Sequence, residues 1–560
     1  MRFLLTNIFC LFLSLSYAQS EFITTWKTDN PGSTASNRII IPTYPGENYD
    51  YTIDWGDGSF DSNVTESIVH TYDVAGTYQI SISGQFPRIY FNNSGDKEKL
   101  ILVNQWGGIN WSSMEKAFSG CINLDVVSSD TPNLSGVNDL SYIFNGCTSL
   151  VGTNSFSNWD TSNVTNMRAV FMDTDSFNQN IGAWDTSEVI NMAELFKNSK
   201  AFNQDIGNWN TSKVTNLATT FDGATVFNQN IGNWDVSNVE VFLGTFAYTQ
   251  NFNQDIGNWD VSSATDMAGM FSSALSFNQN IGNWDVSNVT RMINTFNFAI
   301  SFNQDIGFWN VSNVTSMISM FYNAQNFNQN LSYWNVSNVE NMSSMFDRAG
   351  NFNQNLSYWN ISKVTDLEFM FSNAGLSTYN YDATLNGWAQ LPSLHSNLTF
   401  DAGNSRYCFS EISRDKLLND YLWIINDSGK NTNCQPKNFI TIWKTDNSGT
   451  SGNNQITIPT YSGEIYDFTV NWGDGTSDTN VTANITHTYY TPGVYQVSIE
   501  GAYPRIYFNE TGDNKKILEV KQWGNTAWTS MESAFAGCSN LSVAANDVPD
   551  LSNTTSLRRM

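Results

Sequence analysis

The sequence predicts an α/β solenoid, with one short strand and one short helix in each 25-residue unit, flanked by β-sandwich modules. Two internal repeats carry this prediction. Tryptophan returns every 25 residues from Trp159 to Trp359, and the stretch from about Phe22 to Ile143 returns from Phe439 onward, shifted by 417 positions. A period kept without an insertion over such a length means that every unit fills the same volume, as stacked coils do.

The spacing of apolar residues within one unit predicts both of its elements. Val289, Met292, Phe296 and Ala299 recur at the interval of one helical face, so we expect a short helix there. The segment Phe302–Ile306 alternates apolar and polar residues and predicts a short strand. Strands of successive units would stack as a parallel sheet with a spacing of about 4.8 Å, and the aromatic residues would fill the core.

The N-terminus and the composition predict an extracellular chain. Residues 1–18 combine an arginine, a short apolar stretch and small residues before the expected cleavage site, as a signal peptide does. The apolar stretch is too short to span a bilayer, and no transmembrane segment is expected. The formal charge of −26 argues against nucleic acid as a partner, because phosphate backbones are bound through Lys and Arg.

The 25-residue units carry a family resemblance. Their common pattern, Trp-Asp-Val-Ser-Asn-Val-Thr-x-Met-x-x-x-Phe followed by Phe-Asn-Gln-Asn-Ile-Gly-Asn, resembles the BspA-like leucine-rich-repeat surface proteins of bacteria. The resemblance implies a leucine-rich-repeat-like solenoid, which we place at 101–375 and follow with a cap at 376–435. It also implies a protein outside the cell, of a class that takes part in adhesion to host or neighbouring cells.

The flanking repeat resembles a polycystic-kidney-disease (PKD) domain, which is an immunoglobulin-like β-sandwich. The resemblance rests on three short motifs, Asp54–Ser59, His70–Tyr72 and Gly76–Ile80. We place the two PKD-like modules at 19–100 and 436–517. The residues after the second module, 518–560, repeat the opening of the solenoid and are expected to begin a second, truncated one.

The residue pattern offers no constellation for catalysis, so we expect a protein that is not an enzyme and has no cofactor. His70 and His487 occupy equivalent positions in the two modules, which favours a structural hydrogen bond at both. Asp54 and Asp57 stand beside turn glycines, where they could bind calcium or brace the turn. Asp54 becomes Asn471 in the second copy, which favours the turn.

Polar and aromatic positions of the repeat form the candidate binding surface. One position of the predicted strand faces away from the apolar residues and alternates between amide and acid: Asn180, Asp205, Asn230, Asp255, Asn280 and Asp305. The alternation separates like charges by about 10 Å, close to the Debye length. These side chains either hydrogen-bond along the stack or present evenly spaced groups to a ligand. Phe308, Tyr333 and Tyr358 replace Asn before the tryptophan and predict an aromatic binding edge.

Four cysteines are candidates for two disulfides. Cys121 and Cys147 occupy equivalent positions in neighbouring coils, and Cys408 and Cys434 would close the cap. Alanine stands at the same place in other coils, so the alternative for the first pair is two small buried thiols.

These observations predict a secreted or cell-surface adhesin or interaction protein that binds extracellular protein partners through its solenoid. One alternative is a glycan- or surface-binding module, and another is an accessory region of a larger secreted hydrolase. The glycan alternative is favoured if the exposed aromatics and the Asn/Asp positions border one face of the array.

Overall fold

The structure is a computed structural model that describes residues 21–408, 410–431, 438–545, 548–551 and 553–560. It contains two compact units, of which the first ends at Lys430 and the second begins at Asn431. The first unit holds an N-terminal β module, the array of 25-residue coils and a cap. The predicted signal peptide, 1–18, lies outside the described residues.

The N-terminal module is built from strands, which are β1 (Phe22–Lys27), β2 (Arg38–Ile41), β3 (Asp50–Asp54), β4 (Phe60–Val64), β5 (Ile68–Thr71), β6 (Thr77–Gln85), β7 (Leu100–Gln105) and β8 (Asp125–Val126). Six of them form one sheet in the order β4-β3-β6-β1-β7-β8, while β2 and β5 pair as a second, antiparallel sheet. Alternate residues face the core, such as Tyr51 and Ile53 of β3. Because β7 pairs in parallel with β8, the sheet continues into the region predicted as solenoid.

The 25-residue units contain no helix, so the predicted α/β leucine-rich-repeat solenoid is wrong. Where the sequence predicts a helix, from Val289 to Ala299, the chain makes successive turns, and Phe302–Ile306 is not a strand. The residues ten and fourteen positions after each tryptophan have a left-handed backbone, as at Asn294 (φ 57°) and Phe298 (φ 55°). An α-helix needs consecutive right-handed residues, and each left-handed residue interrupts it.

Backbone hydrogen bonds between neighbouring coils take the place of helical ones. The N–H groups of alternate residues, Met292, Asn294, Phe296 and Phe298, donate to carbonyls of the following coil over 2.7–3.2 Å. Parallel β-bridges join the coils beside this segment, at Asn166 and at the equivalent residue of each later coil. The array is therefore a solenoid of turns and parallel bridges.

Aromatic columns fill the core of the array. The rings of Phe296 and Phe302 lie nearly parallel, with 4.1 Å between their centroids. Phe296 also stacks on Phe321 of the following coil, with 5.6 Å between centroids. All three side chains are fully buried. The prediction that these residues belong to the core is confirmed.

The tryptophans add a hydrogen bond to each coil junction. Every one from Trp184 to Trp359 is buried, and its indole N–H donates to a backbone carbonyl of the preceding coil, as Trp284 does to Ile256 over 3.1 Å. Trp159, at the start of the series, is equally buried, but its indole N–H has no acceptor among the described residues.

The cap covers the last coil with two helices and two strands. These are α1 (Thr378–Ala389), β9 (Thr399–Asp401), α2 (Glu411–Asp420) and β10 (Ile424–Asn426), and the two strands pair in parallel. Trp388 of α1 donates its indole N–H to the carbonyl of Leu356 over 3.1 Å, as the coil tryptophans do. The cap thus supplies the contacts that a further coil would make.

The second unit repeats the N-terminal module. Its strands are β11 (Phe439–Lys444), β12 (Gln455–Ile458), β13 (Asp467–Asn471), β14 (Ser477–Val481), β15 (Ile485–Thr488), β16 (Val494–Ala502), β17 (Ile517–Gln522) and β18 (Ser542–Val543). The sheet order is β14-β13-β16-β11-β17-β18, and β12 pairs with β15. After β17, Met531 and Ser533 donate their N–H groups to carbonyls of Ser556 and Arg558 over 2.8 Å, which are bonds of the inter-coil kind.

Trp284→Phe should destabilise the first unit more than Trp159→Phe does. Both substitutions remove the same atoms from a buried site, but only Trp284 loses a hydrogen bond. We expect the two losses in free energy of unfolding to differ by about 0.5–1.5 kcal/mol. Urea unfolding of the full chain, followed by fluorescence, measures both variants, and equal losses would show that the indole bond contributes nothing.

Candidate functional site

Each coil turns just before its tryptophan, and this turn carries exposed side chains. In one coil the N–H of Trp309 donates to the carbonyl of Ile306 over 3.1 Å, and both of these side chains are buried. Asp305, Phe308 and Asn310 flank them and are exposed. The chain therefore alternates between core and solvent at this corner of the coil.

The same exposed positions recur along the array. We call them the tryptophan edge, defined as the residues four before, one before and one after each tryptophan from Trp184 to Trp359. All of them are exposed except Asn355, which is partly buried. Parallel bridges join the coils, and the tryptophan rings beside this edge repeat from coil to coil, as Trp284 and Trp309 do with 6.3 Å between centroids. A partner would meet three columns of groups at the spacing of the coils.

The predicted Asn/Asp column is held by local hydrogen bonds and not by bonds along the stack. In each coil the side-chain Oδ1 accepts the backbone N–H of the glycine two residues later, over 2.9–3.0 Å. The residues concerned are Asn180, Asp205, Asn230, Asp255, Asn280 and Asp305. Fixing one oxygen leaves the other atom, Oδ2 in Asp and Nδ2 in Asn, free of partners among the described residues. That atom is available to solvent or to a ligand.

The first Asn of each Phe-Asn-Gln triplet does bond along the stack. Asn278 Oδ1 accepts the backbone N–H of Asn303 and the side-chain amide of Gln304, each over 2.9 Å. Equivalent bonds to the next backbone N–H run through the triplets from Asn178 to Asn353. The predicted strand is absent here because the N–H meets a side-chain oxygen of the neighbouring coil instead of a carbonyl.

Phe308, Tyr333 and Tyr358 make one end of the tryptophan edge aromatic. Their side chains are 79%, 65% and 52% exposed. The rings of Phe308 and Tyr333 lie 14° from parallel with 5.6 Å between centroids, which is an offset stack. The structure brings Phe308 and Tyr333 together, and it places them on the same edge as the Asn/Asp column.

A shallow polar depression, which the sequence does not predict, lies at another part of the coils. Asn323, Arg348 and Asn373 line it, each fourteen residues after a tryptophan. Gly350 leaves space there because no side chain stands where Gln325 stands in the preceding coil. This glycine is the signal in the sequence that could have revealed the depression.

The turn motif of the N-terminal module is a closed hydrogen-bonded group. His70 Nε2 lies 2.8 Å from Asp57 Oδ2, and the His70 ring stacks on Trp55 with 4.5 Å between centroids. Asp57 Oδ1 accepts the N–H of Ser59 over 2.9 Å, and Asp54 Oδ1 accepts the N–H two residues further on. Burial raises the pKa of Asp57, but hydrogen bonds from Ser59 and His70 outweigh it and lower this pKa to about 2. Both aspartates brace the turn.

The predicted disulfide between Cys121 and Cys147 is wrong, since both are free thiols. Both side chains are buried, and Cys147 Sγ donates to the carbonyl of Phe118 over 3.2 Å. Burial raises the pKa of both thiols and keeps them protonated. Cys408 is disulfide-bonded, and its predicted partner, Cys434, lies outside the described residues.

The remaining predictions concern metal binding and the membrane. Among these residues, no group of three or more His, Cys, Asp or Glu side chains is placed to hold a metal ion. Within the same part of the chain, no helix is long and apolar enough to cross a membrane. The calcium alternative at Asp54 and Asp57 stays a prediction.

The coil array is similar to a known repeat family. The family described as "Mycoplasma protein of unknown function, DUF285" matches residues 112–230, 203–307 and 276–388. Together these overlapping segments cover slightly less than half of the chain. No curated protein gives a significant match. The chain is therefore a repeat protein whose coils are similar to that family.

The turn motif predicts a pH-dependent stability. Because folding lowers the pKa of Asp57 from its ordinary 3.8 to about 2, the ionised carboxylate stabilises the fold above about pH 4. This contribution should disappear as the pH falls toward 2. Asp57→Asn should therefore lower the unfolding midpoint of the full chain at about pH 5 and change it little at about pH 2.

Asp54→Asn is the matched control for this experiment. Asn471 occupies the equivalent position in the second unit, where its Oδ1 accepts the N–H of Gly473 over 3.0 Å. The Asp54 variant should keep the unfolding midpoint of the parent at both pH values. If Asp57→Asn changes the unfolding midpoint equally at both pH values, the ionised carboxylate of Asp57 does not stabilise the fold.

Proposed function

We propose that the chain is an extracellular interaction protein, secreted or held at a bacterial cell surface, that binds protein partners through the tryptophan edge without catalysis. The observation that carries the proposal is the row of exposed groups on that edge, repeated in register over eight coils. Inter-coil hydrogen bonds and buried aromatic columns fix the row, so binding orders few additional residues and loses little entropy.

The charges of the edge support a partner with a basic surface. The acidic residues of the edge are Asp185, Asp205, Asp235, Asp255, Asp260, Asp285 and Asp305. Asp235, Asp260 and Asp285 stand on three consecutive coils, where like charges at the coil spacing repel one another. Lys or Arg side chains of a partner would relieve this repulsion and steer the encounter.

The resemblances support the same conclusion. The signal-like N-terminus suits export, and the BspA-like units and PKD-like motifs are typical of secreted or surface-bound proteins. A regular array also suits binding by many weak contacts, which several copies on one cell would strengthen by avidity.

Substitution of Asp205, Asp255 and Asp305 by Asn tests the proposal. Asn keeps the Oδ1 that accepts the glycine N–H, as at Asn230, so the triple variant should fold normally while losing three charges. The full chain would be screened by surface plasmon resonance against extracellular-matrix and bacterial surface proteins at low and high salt. We expect a partner whose affinity falls about tenfold in the triple variant and at high salt.

A control variant removes the same charge elsewhere on the first unit. Asp175→Asn, Glu368→Gln and Asp415→Asn change three exposed acids that lie off the tryptophan edge. This variant should bind the partner like the parent chain. Equal losses of affinity in both variants would mean that binding depends on the net charge of the chain and not on the tryptophan edge. The absence of any protein partner would overturn the proposal.

A further inference from the structure

The last three coils differ from the others at the middle column of the tryptophan edge. The residue before the tryptophan is Asn in the four preceding coils, at Asn208, Asn233, Asn258 and Asn283. It then becomes Phe308, Tyr333 and Tyr358. Single exposed aromatics are common on protein surfaces, but here three occupy one position of successive coils and form an apolar strip, in which the first two rings stack. A strip of this kind is typical of a binding site.

The two outer columns change in the same coils. From the residue after Trp309 onward, every outer position is an amide, at Asn310, Asn330, Asn335, Asn355 and Asn360. The seven acids all precede Trp309, and the last of them, Asp305, lies in the coil of Phe308. Apart from Asp305, the apolar strip is therefore bordered by uncharged hydrogen-bonding groups. Two independent changes, in aromatic and in charged residues, coincide at one end of the edge.

The local hydrogen bonds decide which atom these amides offer. Asn330 Oδ1 accepts the N–H of Ser332 over 2.9 Å, and Asn335 Oδ1 accepts the N–H of Ser337 over 3.2 Å. The Nδ2 groups make no hydrogen bond with any described residue and are left for a ligand. In the acidic coils the corresponding free atom is a carboxylate oxygen. After Asp305 the outer columns of the aromatic end thus present only fixed donors, whereas those of the preceding coils mix donors of Asn with acceptors of Asp.

We propose that this aromatic end, Phe308, Tyr333 and Tyr358 with the bordering amides, binds an uncharged linear polysaccharide of equatorially linked hexopyranose units. The inference rests on the proposed function only in taking the tryptophan edge as a binding face. Hexopyranose rings present flat C–H faces that pack on aromatic rings, and their hydroxyl oxygens accept hydrogen bonds from amide N–H groups. Aromatic rings and amide N–H groups lie next to each other at this end of the edge.

The spacing and the charge favour this ligand over others. Phe308 and Tyr333 repeat at 5.6 Å, which is similar to the length of one sugar unit along an extended chain, and a polysaccharide is periodic as the edge is. The bases of a single-stranded nucleic acid would also stack on such rings, but its phosphates would be repelled by the acids of the adjoining coils. An uncharged polymer is not repelled by these acids.

Calorimetric titration of the full chain with cellohexaose, mannohexaose and chitohexaose tests the proposal. We expect at least one of these to bind with an affinity that salt does not change, because no charge takes part. Tyr333→Ala with Tyr358→Ala should weaken binding about tenfold or more, as loss of a stacked ring does. Tyr333→Phe with Tyr358→Phe keeps the rings and should retain most of the affinity.

Two further variants sharpen the result. Asn335→Asp keeps the Oδ1 bond to Ser337 but turns the free donor into an acceptor, so it should weaken binding without changing the unfolding midpoint. Tyr248→Ala removes an exposed tyrosine that lies off the tryptophan edge and should have no effect.

The outcomes separate this inference from the proposed function. If no oligosaccharide binds, or if binding survives the loss of Tyr333 and Tyr358, the polysaccharide site is refuted. A protein partner that still depends on Asp205, Asp255 and Asp305 would leave the proposed function standing in that case. If both kinds of binding are absent, both proposals fail.

Discussion

The two left-handed residues in every coil set the geometry on which the rest of the array depends. They turn the chain so that alternate N–H groups, such as those of Met292 and Phe296, point to the following coil and bond to its carbonyls. Because these hydrogen bonds hold neighbouring coils together, Phe296 can stack on Phe321, and Trp284 reaches the carbonyl of Ile256. Register, core packing and the alignment of the exposed columns all follow from this one arrangement.

The same arrangement leaves the tryptophan edge free to vary. The hydrogen bonds that join the coils are made by backbone groups and by side chains outside the edge, such as the buried tryptophans and the Asn column of the Phe-Asn-Gln triplets. The residue before the tryptophan can therefore be Asn, Ala183 or an aromatic such as Tyr333 without loss of an inter-coil hydrogen bond. Binding properties can differ between the two ends of one regular scaffold.

Sequence periodicity predicted the stacking of units and the buried aromatics, because a strict repeat must fill equal volumes. The helix that it predicted is wrong, because repeated turns place apolar residues at the same intervals as a helical face does. The left-handed positions are hard to read, since Phe298 stands where Gly223 and Asn323 stand in other coils. The predicted strand is wrong because the side chain of Asn278, and not a backbone carbonyl, accepts the hydrogen bond from the next coil. The exposed edge was visible in the sequence, but which atom each Asn or Asp offers depends on local hydrogen bonds.

A pair of serine-to-glycine substitutions tests the central claim about left-handed turns. Ser319 has φ 51°, whereas Ser316, three residues earlier, lies in a parallel bridge and does not have a positive φ. Glycine relieves a left-handed backbone, so Ser319→Gly should raise the free energy of unfolding by about 1 kcal/mol. Ser316→Gly should lower it by about 0.5–1 kcal/mol. If Ser319→Gly lowers stability as glycine does inside a helix, the turn-based coil is contradicted.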